Sequence, residues 1–176
     1  MPMLSSFFAR RCGPWTAVLF LSFLAGASLP VAELARTGTV RLRFPESGIA
    51  ALLARFCLPA AVSWLLGFFA CGVVLLPAWT AVCGYVLCTP AALAVQTAGT
   101  RGFLDALVRF GLPGFAALPL FFFVASFAAL CSECALRRLF GRPAGTWQSP
   151  LSPPFALFFV LSLLVLFMLS VGTAMF

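Results

Sequence analysis

Residues 56–100 carry no charged side chain. As one straight helix this 45-residue run would be about 68 Å long, more than twice the ~30 Å of bilayer hydrocarbon. It therefore has to fold back on itself. Pro77 lies near its middle, and a proline inside a helix removes one hydrogen bond from the ladder. The run reads as a tight hairpin, with one helix near 57–76 and its return near 79–98.

Three more charge-free runs cover 12–32, 110–132 and 143–176. The first two predict single spans near 13–32 and 111–132, each close to the roughly 20 residues that cross a membrane. The last opens with turn-like residues from Pro143 to Pro153-Pro154. Its apolar remainder predicts a span near 155–175, and a proline pair suits a helix start. The expected fold class is all-α: a polytopic membrane helix bundle of about five transmembrane helices with a tight central hairpin. Residues 1–176 form a single integral membrane domain, and an odd number of spans puts the termini on opposite sides. Composition agrees. Only 9% of residues are charged, where a soluble domain needs about a quarter. Arg10-Arg11, an apolar core and Ala25-Gly26-Ala27 also resemble a cleavable signal peptide. The apolar stretch runs on to Ala32, which favours an uncleaved first span.

The links between spans are short. Pro45-Glu46-Ser47 looks like a helix start, and Ile49, Leu52, Leu53 and Phe56 follow at helical spacing, so a short amphipathic helix at the interface is expected. Asp105 and Arg109, and Glu133 and Arg137, are four residues apart and can pair on a helix face; both pairs read as solvated helix ends. Trp15, Trp79 and Trp147 fall near span ends, as an aromatic belt does, while Trp64 lies inside a span. With the N-terminus inside, five arginines fall on the inner side and six on the outer. That count does not orient the chain, and the Arg10-Arg11 pair before the first span favours the N-terminus inside.

The residue inventory restricts chemistry. The chain has no His, which removes Ser-His and Cys-His nucleophile pairs and His-ligated metals. Its four acids are Glu33, Glu46, Asp105 and Glu133, and none forms a carboxylate pair deep in a span. Cys131 and Cys134 make a C-x-x-C, but a structural zinc site needs two further ligands. The eleven basic residues are all Arg and sit between apolar runs, as in membrane proteins and unlike a nucleic-acid-binding face. The chain is expected to have no catalytic residue, no cofactor and no bound metal. It is not expected to bind nucleic acid, and its expected surroundings are membrane lipid.

Gly67, Gly72 and Gly84 interrupt bulky spans, and small residues let membrane helices approach closely. With Pro77 as the turn, Gly72 and Gly84 are expected to face each other across the hairpin. At these residues the chain resembles the stage II sporulation protein M family. Trp64-Leu65-Leu66-Gly67, four residues, Gly72, eleven residues and Gly84 look like its core, and Leu112-Pro113, five residues and Pro119 look like its downstream motif. The resemblance covers roughly residues 50–135. Cys83 and Gly114 depart from it, where charged and polar residues are usual. The resemblance implies a non-catalytic membrane scaffold of spore-forming bacteria. Such a scaffold would anchor and localise peptidoglycan hydrolase subunits during engulfment, at the mother-cell or septal membrane. Self-association into a homo-oligomer stays open. The alternative is a small membrane permease subunit working with a separate ATPase.

Overall fold

The computed structural model describes residues 2–39, 49–108, 112–141 and 153–174. Five helices follow one another: α1 (Pro2–Thr37), α2 (Ile49–Leu66), α3 (Gly72–Ala106), α4 (Leu112–Leu139) and α5 (Pro153–Ala174). The described residues contain no strand. Three helices hold a segment long and apolar enough to cross a membrane, Gly13–Thr37, Gly72–Gly102 and Ala117–Leu139. Cys57–Leu66 and Phe155–Met168 are shorter apolar stretches. Of the five expected spans, three thus have the required length and apolarity in the structure.

The hairpin exists, but its turn is not at Pro77. The chain reverses over Gly67–Cys71, and Pro77 lies within α3. This takes about ten residues from the first arm and gives them to the second. The turn is tightened by bonds three residues apart: Phe68 N to Leu65 O, Phe69 N to Leu66 O and Gly72 N to Phe69 O. Pro77 sits in the second turn of α3, so only the bond to a carbonyl near the helix start is lost. Membrane helices tolerate such prolines. The amphipathic helix expected after Ser47 is likewise no separate element, because Ile49, Leu52, Leu53 and Phe56 belong to α2. Pro45-Glu46-Ser47 and Trp147 lie outside the described residues.

α1 and α4 run antiparallel. Trp15 of α1 meets Glu133 of α4, and Phe23 meets Phe122. Gly67 at the end of α2 abuts Ala128, and Ala60 packs with Ala117, so α2 and α4 are parallel. Trp64 stacks on Phe159, and Phe127 on Phe155, which sets α5 against both. The start of α1 and the end of α5 therefore lie at opposite ends of the bundle.

α1 packs chiefly against α3, and glycines set that contact. A Cβ at Gly26 would fall on the Ala81 carbonyl, and one at Gly84 on the carbonyl of Phe23. The main cluster around this seam contains Leu19, Phe23, Leu76, Cys83, Phe121 and Phe122. Cleavage after Ala27 would strip Leu19 and Phe23 from it. The outward faces are apolar as well: Val74 is 75% exposed and Phe115 79%, as suits a lipid solvent.

α3 breaks once, at Gly99, with φ 60° and ψ −139°. That region is open to glycine alone among the residues here. The chain then folds back, and Gly102 packs against the Ala94 carbonyl. Gly38 and Gly141, also at positive φ, close α1 and α4.

The α1–α3 seam predicts an asymmetric glycine scan. Gly84→Ala and Gly26→Ala should each lower stability by about 1–3 kcal/mol, as overpacking does. Gly13→Ala and Gly114→Ala, where a Cβ meets nothing, should be neutral. Thermal unfolding in detergent reads the difference.

Candidate functional site

Three of the motif residues gather at the hairpin turn. A Cβ at Gly67 would lie 3.0 Å from Ala128 Cα, and one at Gly72 would run into the Leu66 carbonyl and come within 2.8 Å of Ser132 Oγ. Ser132 of α4 is fully buried. Its hydroxyl donates to Phe69 O at 2.6 Å and lies 3.3 Å from Ala70 O. The turn is thus held from outside by one serine and two side-chain-free positions.

Trp64, one turn earlier, stacks on Phe159 with ring centroids 4.5 Å apart and planes 7° from parallel. Phe68 meets it edge-on at 4.9 Å. The indole Nε1–H is buried without a hydrogen-bond partner among the described residues. Phe127, Cys131 and Phe155 complete this cluster, which joins α2, α4 and α5.

Gly84 is elsewhere. It lies on the same helix as Gly72, about 18 Å further along the axis, and packs on α1. The expectation that these glycines face each other across the hairpin is therefore wrong. It followed from placing the turn at Pro77, and each glycine contacts a different helix. Pro113 and Pro119 lie in the first turns of α4; Pro119 is exposed.

Polar ties join α1 to its neighbours near both ends of its apolar segment, Gly13–Thr37. Trp15 Nε1 donates to Glu133 Oε2 at 2.8 Å, and Arg137 Nε donates to Glu133 Oε1 at 2.9 Å. Glu133 is therefore more than half of a solvated i, i+4 pair, since one carboxylate serves two helices. Beside it Thr16 and Ser126 share a hydrogen bond of 2.8 Å. At the other end Tyr85 Oη donates to Glu33 Oε2 at 3.2 Å. Trp15 and Glu33 are about 27 Å apart along α1, close to the thickness of bilayer hydrocarbon. Trp79 Nε1 donates to Pro59 O at 3.2 Å across the hairpin. The Asp105–Arg109 pair lies outside the described side chains.

Ser132, Tyr85 and the Trp15–Glu133 bond escape a sequence reading. Trp15 and Glu133 are 118 residues apart, and no local pattern links them. Ser132 is likewise 63 residues from the carbonyl it serves.

Cys131 is buried and Cys134 partly buried. Among the described residues no group of three His, Cys, Asp or Glu side chains could hold a metal ion. A small recess between α2, α3, α4 and α5 is lined by Pro59, Cys83, Leu87, Ala117, Phe121 and Leu166, among others. It is apolar, and the Cys83 thiol is the one side-chain polar group on it. No family model, curated protein or solved structure matches this chain.

The Trp15–Glu133 tie is testable by a double-mutant cycle. Trp15→Phe and Glu133→Gln should each destabilise the bundle. Their coupling should be about 1 kcal/mol, between the mean for membrane hydrogen bonds and the value for charged partners. Arg137→Ala, at a side chain 52% exposed, should cost no more than about 0.5 kcal/mol.

Proposed function

We propose that this chain is a polytopic membrane scaffold that holds partner proteins at a cell membrane and has no chemistry of its own. The observation that carries this reading is where the interior polar groups go. Trp15, Glu133, Thr16, Ser126, Ser132, Trp79, Tyr85 and Glu33 bond across helices. Ser63, Thr80, Thr89 and Ser162 bond carbonyls of their own helices. These groups serve assembly, and the recess between α2, α3, α4 and α5 is nearly devoid of them.

All five helices cross or enter the bilayer in this reading, and the two ends of the chain face opposite compartments. α2 and α5 supply the fourth and fifth membrane segments, supported by their packing against α4 and each other. By the resemblance set out above, the partners are peptidoglycan hydrolases of an engulfment complex. The motif residues Trp64, Gly67 and Gly72 support that assignment by clustering at one structural feature, the turn.

Crosslinking followed by recovery of the tagged chain from sporulating cells tests the assignment. Co-recovery of peptidoglycan hydrolases is the expected result. Recovery of an ATP-binding subunit instead would replace the scaffold with the permease reading. An alkaline phosphatase fusion after Phe176 and a reporter on the N-terminus should report opposite compartments. The same compartment for both would remove the odd crossing number.

A further inference from the structure

The α2–α3 turn has the composition of a span and not of a loop. Gly67-Phe68-Phe69-Ala70-Cys71 contains no charged, hydroxyl or amide side chain. Phe69 is 58% exposed and Phe68 38%, and Cys71 is exposed too. A turn in water satisfies its free carbonyls with water. Here the Ser132 hydroxyl faces the carbonyls of Phe69 and Ala70. Ser132 adjoins Glu133, which takes the Trp15 indole N–H, so the turn lies level with that polar tie. α4 continues past this level to Leu139 and carries Arg137 and Arg138 in its last turn. The turn thus stops about 10 Å short of the end of its neighbour.

The apolar length of α2 agrees. Between Arg55 and the turn it has only the residues Phe56–Leu66, about 16 Å of helix. That is near half the hydrocarbon thickness, so a hairpin hung from the Arg55 end need not reach water at its tip. We propose that the α2–α3 turn is seated in lipid, with Phe68, Phe69 and Cys71 facing acyl chains and the Ser132 hydroxyl standing in for water at its carbonyls. α2 then enters as a re-entrant arm that turns back inside the hydrocarbon, and α3, whose Gly72–Gly102 segment is the longer of the two, starts from that depth. The inference rests on the membrane reading of the chain and adds a depth for one segment.

A nitroxide on Cys71 measures that depth in full-length protein reconstituted in phosphatidylcholine–phosphatidylglycerol vesicles, with the other six cysteines changed to Ala. Two reference sites accompany it: Arg138→Cys, exposed beyond the tie, and Val160→Cys, exposed on the mid-section of α5. The expected result is that molecular oxygen relaxes the Cys71 label several-fold more effectively than a water-soluble nickel chelate, as at position 160 and opposite to position 138. Adding Ser132→Ala should raise chelate access at Cys71 at least about two-fold, as the carbonyls turn toward water. Chelate-dominated relaxation at Cys71, matching position 138, overturns the proposal. Chelate-dominated relaxation at position 160 overturns the membrane reading instead. If the cysteine-depleted chain does not insert, the wild-type chain decides by site-resolved mass spectrometry after a membrane-impermeant maleimide. Cys71 should then stay at least about ten-fold less modified than in detergent, and equal modification overturns the proposal.

Discussion

In hydrocarbon a leucine gains little by leaving lipid for protein, so a membrane bundle is held by how closely its backbones approach. The α1–α3 seam is where this chain meets that condition. Gly26 lies on the Ala81 carbonyl and Gly84 on the Phe23 carbonyl, so each helix offers a bare position to the backbone of the other. Leu19, Phe23, Leu76 and Cys83 flank these points and are buried because the glycines bring the axes together. α4 then covers the pair, with Phe122 edge-on against both Phe20 and Phe23. α2 and α5 are attached by a different device, the stacked rings of Trp64 with Phe159 and Phe127 with Phe155. The α1–α3 seam is closed by missing side chains, and the α2–α5 side adds large flat ones.

The polar contacts divide by partner. Hydroxyls in the interior mostly return to their own helix carbonyls, as Ser63, Thr89 and Ser162 do. This satisfies the hydroxyl and carries no information about a neighbour. Bonds that choose a partner helix lie toward the ends of the apolar segment of α1, at the hairpin turn and between the hairpin arms: Trp15 with Glu133, Tyr85 with Glu33, Ser132 with Phe69, Trp79 with Pro59. Close packing sets the distance between helices, and these hydrogen bonds set their register.

Much of the architecture was legible because charge and length suffice for it. The charge-free runs placed α1, α4 and α5, the 45-residue run required a reversal, and Pro153-Pro154 marked the start of α5. The position of the reversal was not legible from Pro77. A proline near a helix start loses only one bond, whereas Gly67 and Gly72 lie where the returning chain and α4 leave no room for a Cβ. That crowding is a tertiary fact, and so is the split of the three motif glycines between two contact surfaces. The break at Gly99 was hidden for another reason: a glycine followed by a polar stretch looks alike in a loop and in a kinked helix.

The 118 residues between Trp15 and Glu133 also set a schedule. A ribosome adding roughly 5–20 residues per second delivers α4 some 6–24 s after α1. In a bilayer, α1 would wait through that interval without the helix that accepts its indole proton, and for part of it without α3 as well. A donor or carboxylate stranded at the bilayer centre would be penalised for all of that time. Trp15 and Glu33 lie about 27 Å apart, one toward each side of a bilayer and neither at its centre. The spacing that fits the finished bundle to a bilayer also lets its first helix wait for the rest.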